Sequence, residues 1–302
     1  MALTLRRATT ADKPRILEIA AQIWEGNDYV PHVIDEWLAS EQDEVTVALS
    51  DDKIIAFARF AWILPHYAWF EGIRTDPEYR GGGAGKAITR YFLEKAHREG
   101  ASRAGLSTYI ENLASIHIIE SHGFSKVSTF VMMEAGEHKP RNQGIANPDV
   151  EEISPDEVLD YVAHSDFLKA SHGYLPRGWW FYPYDEGARE FTDHLHHALG
   201  LRNPATGNLR GLLCIGRSTH GPHEFYIDFL EGDPEALRIL LNHGFYLGRE
   251  ATWFSLLIPR WDTEPPLPAL QIAQELGLEP WQEFTPDVWV YEQPITSQEN
   301  IP

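Results

Sequence analysis

The sequence predicts an α/β fold made twice in one chain, and three observations predict it. Strand-like and helix-like segments alternate through roughly the first 134 residues, the pattern of mixed α/β domains. The later segments of the second half repeat the order of those in the first. A length of 302 residues allows two cores, at roughly 100–200 residues per domain.

The elements follow in order. Leu3 to Ala8 reads as a short strand. Asp12, Pro14 and the spacing Ile16, Ile19, Ala20, Ile23 predict an amphipathic helix near its cap. Trp24-Glu25-Gly26-Asn27-Asp28-Tyr29-Val30-Pro31 breaks it, and a short helix follows around Ile34 to Leu38. Val45 to Leu49 and Ile54 to Leu64 flank the turn Ser50-Asp51-Asp52-Lys53 as a hairpin. Tyr67 to Thr75 is a strand, Arg80 to Gly85 a glycine-rich turn, and Lys86 to Glu99 a helix stopped by Gly100. Arg103 to Tyr109 (strand), Leu113 to Ser121 (helix) and Ser125 to Met133 (strand) complete this half.

Residues 135 to 149 have no periodicity, and 139–149 are read as a linker between a domain of residues 1–138 and one of 150–302. The second half opens with a helix from Pro155 to His164 and an aromatic cluster, Tyr174 and Trp179 to Tyr184. A helix near Ala188 to Leu199 is expected next. Strands at Gly211 to Arg217 and Glu224 to Leu230 lead to a helix at Pro234 to Leu241. Trp253 to Pro259 (strand), Pro266 to Leu276 (helix) and Val288 to Glu292 (strand) follow.

Charge narrows the function. With 25 basic and 45 acidic residues the net charge is −20, which excludes holding nucleic acid or an anionic membrane by bulk electrostatics. No apolar run approaches the ~18–20 residues of a membrane helix, and the N-terminus lacks a signal-peptide stretch. A cytoplasmic location is the expectation. The single cysteine, Cys214, excludes an intrachain disulfide and reads as a strand-buried thiol. His194, His196 and His197, with His220 and His223, lack a known ligand spacing and are read as exposed helix histidines, so no metal is expected.

One window opposes the trend. Residues 74 to 103 hold seven basic side chains against four acidic ones, wrapped around the glycine turn. A strand, a glycine-rich turn and a helix N-terminus gather backbone N–H groups around one point, suited to phosphate oxygens. The spacing is neither that of a nucleotide triphosphate loop nor that of a dinucleotide fold.

Ile73-Arg74-Thr75-Asp76-Pro77-Glu78-Tyr79-Arg80-Gly81-Gly82-Gly83-Ala84-Gly85 resembles motif A of the GNAT superfamily of acyl-CoA-dependent N-acetyltransferases. Asn112, Ser115, Glu120 and Gly123-Phe124 resemble its motif B helix. The resemblance spans residues 3 to about 134, and implies a GNAT fold followed by a second, degenerate GNAT-like α/β domain whose glycine turn is lost. It implies acetyl-CoA as cosubstrate. The backbone of Ile73, Arg74 and Thr75 would pair with the pantetheine arm, Arg80, Gly81, Gly82, Gly83, Ala84, Gly85 and Lys86 would cradle the pyrophosphate, and Asn112 and Ser115 would face the arm's far side. The motif B helix usually carries a Tyr just before its Glu as general acid; here Ile119 stands there, and the general acid is unassigned.

Acetylation of an amine needs the neutral amine, so a base helps at neutral pH. Glu71, a carboxylate in the apolar run Trp69-Phe70-Glu71-Gly72-Ile73, is the candidate; strand alternation puts it on one face with Trp69 and Ile73. An exposed edge-strand residue is the other reading. The segment Glu25-Gly26-x-Asp28-Tyr29-x-Pro31 and the two-part chain resemble the histidine N-acetyltransferase group, which implies a small-molecule amine as acceptor, with the α-amine of free histidine first; the alternatives are another amino acid, a polyamine or an antibiotic amine as acceptor, or a CoA-binding regulatory module without turnover. Glu25 and Asp28 would hold a cationic amine or imidazole and Tyr29 would stack on a ring, with Trp24 in the same substrate-binding block; capping and turn formation is an equal reading of these residues. The sequence leaves the oligomeric state open.

Overall fold

A computed structural model describes residues 3–135, 144–216, 224–261, 265–283 and 285–295. The chain divides into two compact units. One takes the described residues within Met1–Thr108, Asn112–Lys126 and Tyr291–Pro302; the other takes those within Tyr109–Glu111 and Val127–Val290.

The first unit begins with β1 (Thr4–Arg7), a single 3-10 turn (Thr10–Asp12) and α1 (Lys13–Ala20). Asp12 fixes this corner: its carboxylate accepts from Thr9 N–H at 2.7 Å and pairs with Arg6 at 2.7 Å. The Arg6 bond holds Asp12 well below the usual carboxylate range. Ile16, Ile19 and Ala20 are buried as the spacing requires. A second 3-10 turn (Trp24–Gly26) leads to α2 (Val30–Ala39), which starts earlier than expected because Pro31 suits the first helical turn. Then come β2 (Glu44–Ser50), β3 (Lys53–Leu64) and β4 (Tyr67–Thr75). After a short 3-10 turn (Pro77–Tyr79) follow α3 (Ala84–Arg98), β5 (Arg103–Tyr109) and α4 (Leu113–Ser121); β6 (Ser125–Ala135) comes next in the chain and from Val127 belongs to the second unit. Strands β1 to β4 pair antiparallel with their neighbours, whereas β4 and β5 run parallel, joined by α3. Phe60, Phe70, Phe92 and Phe124 fill the space under α3 and α4, with ring centroids 5.2–5.9 Å apart.

This unit is discontinuous in sequence. Beside β5 lies β15 (Val288–Pro294), whose residues from Tyr291 belong here. Ile295 N–H bonds Ser102 C=O at 2.8 Å, Arg103 pairs with Glu292 at 3.4 Å, and the Tyr291 hydroxyl donates to Glu120 at 3.1 Å.

The second unit adds β7 (Val150–Glu152), α5 (Pro155–Ala163), α6 (Asp166–Ala170), and the hairpin β8 (Tyr174–Arg177) and β9 (Trp180–Pro183). Next are α7 (Tyr184–Asp193), β10 (Leu195–Arg202), β11 (Leu209–Gly216), β12 (Glu224–Gly232), α8 (Pro234–Leu247), β13 (Trp253–Pro259), α9 (Pro268–Glu275) and the two-residue β14 (Glu279–Pro280). Its main sheet runs β6-β13-β12-β11-β10-β7. Here β12 and β13 are the parallel pair, joined by α8, so the β4-α3-β5 arrangement recurs. The α8 terminus, however, carries Asp233 and Glu235, both paired with Arg210, in place of glycines.

The expected helix through residue 199 is corrected. Helix α7 ends at Asp193, where the His194 ring sits 2.5 Å from Glu190 C=O, and the chain turns into β10. Ala198, Leu199, Gly200 and Leu201 are all buried between β7 and β11, so tertiary pairing outweighs the local helical pattern. His196 and His197 therefore stand on a strand, with His197 2.5 Å from Glu152. His220 and His223 lie outside the described residues, as do 136–143, which include 139–143 of the expected linker. Among the described residues, no group of three or more His, Cys, Asp or Glu is placed to hold a metal ion, and no helix is long and apolar enough to cross a membrane. Cys214 is buried in β11, and burial pushes its thiol up.

Candidate active site

The site grows from a single irregularity in β4. Arg59 of β3 stands opposite Glu71 and Phe57 opposite Arg74. Ala58 thus faces two residues, Gly72 and Ile73, and β4 bulges. Gly72 has φ +64°, a conformation that favours glycine, and a Cβ there would lie 2.9 Å from the Trp37 ring. The bulge shifts the alternation by one, so Arg74 rather than Ile73 shares the face of Glu71. Ile73 turns instead toward Gly85 at the start of α3.

Glu71 is held from the opposite strand. Its Oε1 accepts from Arg59 Nη1 at 2.6 Å, and Arg59 Nη2 donates to Asp43 Oδ2 at 2.6 Å. Asp43 also accepts from Trp62 N–H at 3.2 Å, and the guanidinium lies 5.1 Å from the Trp37 ring centre. Arg59 and Glu71 are only 9% and 15% exposed at their side chains. Burial works against the Arg59 charge, but Glu71 and Asp43 more than offset it and raise its pKa. Tyr29, edge-on to Trp37 at 5.9 Å, has its phenol pushed up by burial and then by the Glu71 charge.

Beyond this point β4 and β5 part. Their ladder runs from Tyr67↔Arg103 to Trp69↔Gly105 and stops, while β4 continues to Thr75 and β5 to Tyr109. A cleft between diverging parallel strands therefore opens beside the bulge. Its far end is the glycine turn. Asp76 accepts from Glu78 N–H at 3.0 Å and pairs with Arg15, which fixes the turn's start. Gly81 and Gly83 have φ +79° and +84°, and a Cβ on either would meet nothing within 4 Å. That open space lies over the first turn of α3, where the N–H groups of Ala84, Gly85 and Lys86 precede the first i→i−4 bond, from Ala87 N–H to Gly83 C=O. Arg80 and Lys86 are exposed here. The Asn112 side chain caps α4, accepting from Ser115 N–H at 3.4 Å.

The block expected at the acceptor is divided. Asp28 is fully buried and bonded to Arg74 Nε at 2.7 Å, so the structure spends both charges on each other. Asp28 also accepts from Val30 N–H at 3.2 Å, an internal turn bond. Trp24 and Glu25 have φ +46° and +57°, strained for side-chain-bearing residues. That conformation lays the exposed Trp24 indole over the Arg74 guanidinium, 4.3 Å away, while Glu25 points to solvent. Sequence reasoning missed Arg59, Asp43 and the contact role of Trp37. A signal existed for Arg59: like Glu71, it is a charge inside an apolar strand.

Residues 13–124 match the acetyltransferase (GNAT) family. This segment is a GNAT acetyltransferase domain. No curated protein sequence matches the chain. The GCN5-related N-acetyltransferase of Sphaerobacter thermophilus is similar over 98% of this chain and 96% of its own, with 14% identity and a TM-score of 0.64. A tandem GNAT protein from the clavulanic acid biosynthesis pathway is similar over 99% and 100%, with 15% identity and a TM-score of 0.60. These two likenesses are of fold, and the tandem arrangement fits the second, GNAT-like unit. Acyltransferase activity rests on this segment, whose family uses acetyl-CoA.

Proposed function

We propose that the acetyltransferase moves the acetyl group of acetyl-CoA to the amine of a small amino compound, with the α-amine of free histidine as first candidate. The observation that carries this is the β4 bulge, with a carboxylate at one end of a parted strand pair and a glycine cradle at the other. The pyrophosphate is held by Arg80, Gly81 to Gly85 and Lys86, and the pantetheine arm lies along the backbone of Ile73 and Thr75, with Asn112 and Ser115 across from it. Glu71 takes a proton from the acceptor ammonium. The neutral nitrogen attacks the thioester carbon, β4 N–H groups at the bulge polarise the carbonyl oxygen, and the C–S bond breaks. The thiolate, with a thiol-like pKa near 8.5, leaves with the proton lost by the attacking nitrogen.

Histidine is supported by Glu25-Gly26-Asn27-Asp28-Tyr29-Val30-Pro31 and the ring-lined wall of Trp24, Tyr29 and Trp37. The boundaries proposed from the sequence are a catalytic domain of residues 1–138, a linker of 139–149 and a companion domain of 150–302, although the compact unit that carries the site runs only to Lys126 and takes in the chain again from Tyr291. The reading is tested by thiol release from acetyl-CoA over a panel of free amino acids, polyamines and aminoglycosides, with Glu71→Gln beside the parent. Turnover confined to histidine and near analogues, and lost in the variant, is expected. Undiminished turnover in the variant removes Glu71 from the mechanism.

A further inference from the structure

We propose that Arg59 is a positioning residue for the acyl transfer: through one guanidinium it fixes the place and the ionised state of the Glu71 carboxylate. The inference rests on the reading of Glu71 as base. The two N–H arms of Arg59 reach carboxylates on opposite sides, Glu71 and Asp43, each at 2.6 Å. Asp43 is itself anchored by Trp62 N–H, so the chain Trp62–Asp43–Arg59–Glu71 ties the base to the backbone of β3. The Trp37 ring closes the remaining side of the guanidinium. The same indole limits the space at Gly72, so one side chain braces both the bulge and the clamp.

Arg59 and Glu71 stand directly opposite in the β3–β4 ladder, which makes their separation a property of the sheet rather than of two flexible chains. A cation this close favours the charged form of a carboxylate by about 1–3 pH units in general. Other charged or titratable groups facing the pair are Glu36 and Tyr29 of the α2 region, and Asp28 and Arg74, which neutralise each other.

The test is the pH profile of kcat/KM for the parent, Arg59→Met, Arg59→Lys, Asp43→Asn and Glu71→Gln, using the amine that the panel identifies. Methionine keeps the volume and removes the charge, so the acid limb is expected to move up by about one unit or more, with kcat falling more than KM rises. Arg59→Lys is expected to restore the limb but only part of kcat, since lysine cannot bridge two carboxylates. Asp43→Asn, the mildest change, lowers kcat and leaves the limb at or below its parent position. A parent-like limb in both Arg59→Met and Asp43→Asn, with kcat intact in Asp43→Asn, overturns the proposal while leaving Glu71 as base. A parent-like limb in Glu71→Gln overturns the reading of Glu71, and this inference with it.

Discussion

Replacing Gly72 with alanine adds one methyl group at the bend of β4. At φ +64° an L-residue is strained by about 1–2 kcal/mol. The new Cβ would also sit 2.9 Å from Trp37 Cη2 and 3.1 Å from Cζ3, and Trp37 is buried between α2 and the sheet with little room to retreat. Overpacking of this kind adds about 1–3 kcal/mol, so a loss of roughly 2–5 kcal/mol is expected. Urea unfolding measures it, and kcat/KM should fall at least about tenfold because Glu71 and Arg59 lose their register. Trp37→Phe removes the two offending ring atoms. In that background the Gly72→Ala penalty should shrink to about 1–2 kcal/mol, the strain alone. Parent stability together with parent kcat/KM in Gly72→Ala would refute the claim that the bulge sets the site. An equal penalty in both backgrounds would refute the role of Trp37.

Arg80→Ala should raise KM for acetyl-CoA by about tenfold with little change in kcat, since its charge would meet the pyrophosphate and not the reacting carbon; initial rates against acetyl-CoA check this. Phe92→Ala, at the centre of the phenylalanine cluster, should cost about 3–5 kcal/mol in urea unfolding. Asp228 in the second unit is raised to about 7 by burial, which the Gly178 N–H and Arg177 only partly offset. A carboxyl raised on folding holds its proton more tightly in the native state, so its contribution weakens as pH rises from about 4 to about 7 and is level above. Asp228→Asn should therefore stabilise the protein by a few kcal/mol at pH 8 and hardly at pH 4, read from melting temperatures across pH.

Segments with one dominant local signal were legible at their ends: Tyr67–Thr75, Arg103–Tyr109 and Leu113–Ser121 match the sequence reading residue for residue. The glycine turn was legible because conformation there depends on residue type, and Gly81 and Gly83 do adopt left-handed angles. The β4 bulge was not, because a bulge is a mismatch between two strands and only one strand is visible in a local pattern. With it went the facing of Ile73 and Arg74. The α7–β10 switch failed for the same reason, since β10 is a strand by virtue of β7 and β11. Asp28 was read as reaching for a ligand and Arg74 as offering its backbone to one, and neither spacing nor charge reveals that the side chains of two residues 46 positions apart bond each other.

The late placement of β15 has a consequence for synthesis. The unit that carries the glycine turn and Glu71 is not complete until Tyr291 and the residues after it have left the ribosome, although all its other segments end by Lys126. At about 5–20 residues per second that is a wait of roughly ten to thirty seconds. During it, the open edge of β5 is a strand without its neighbour, exposed to whatever extended segment is nearest. The acetyltransferase cleft therefore acquires its full support only after the entire second unit has been made, and any nascent chain interrupted before Tyr291 leaves the first unit with that edge bare.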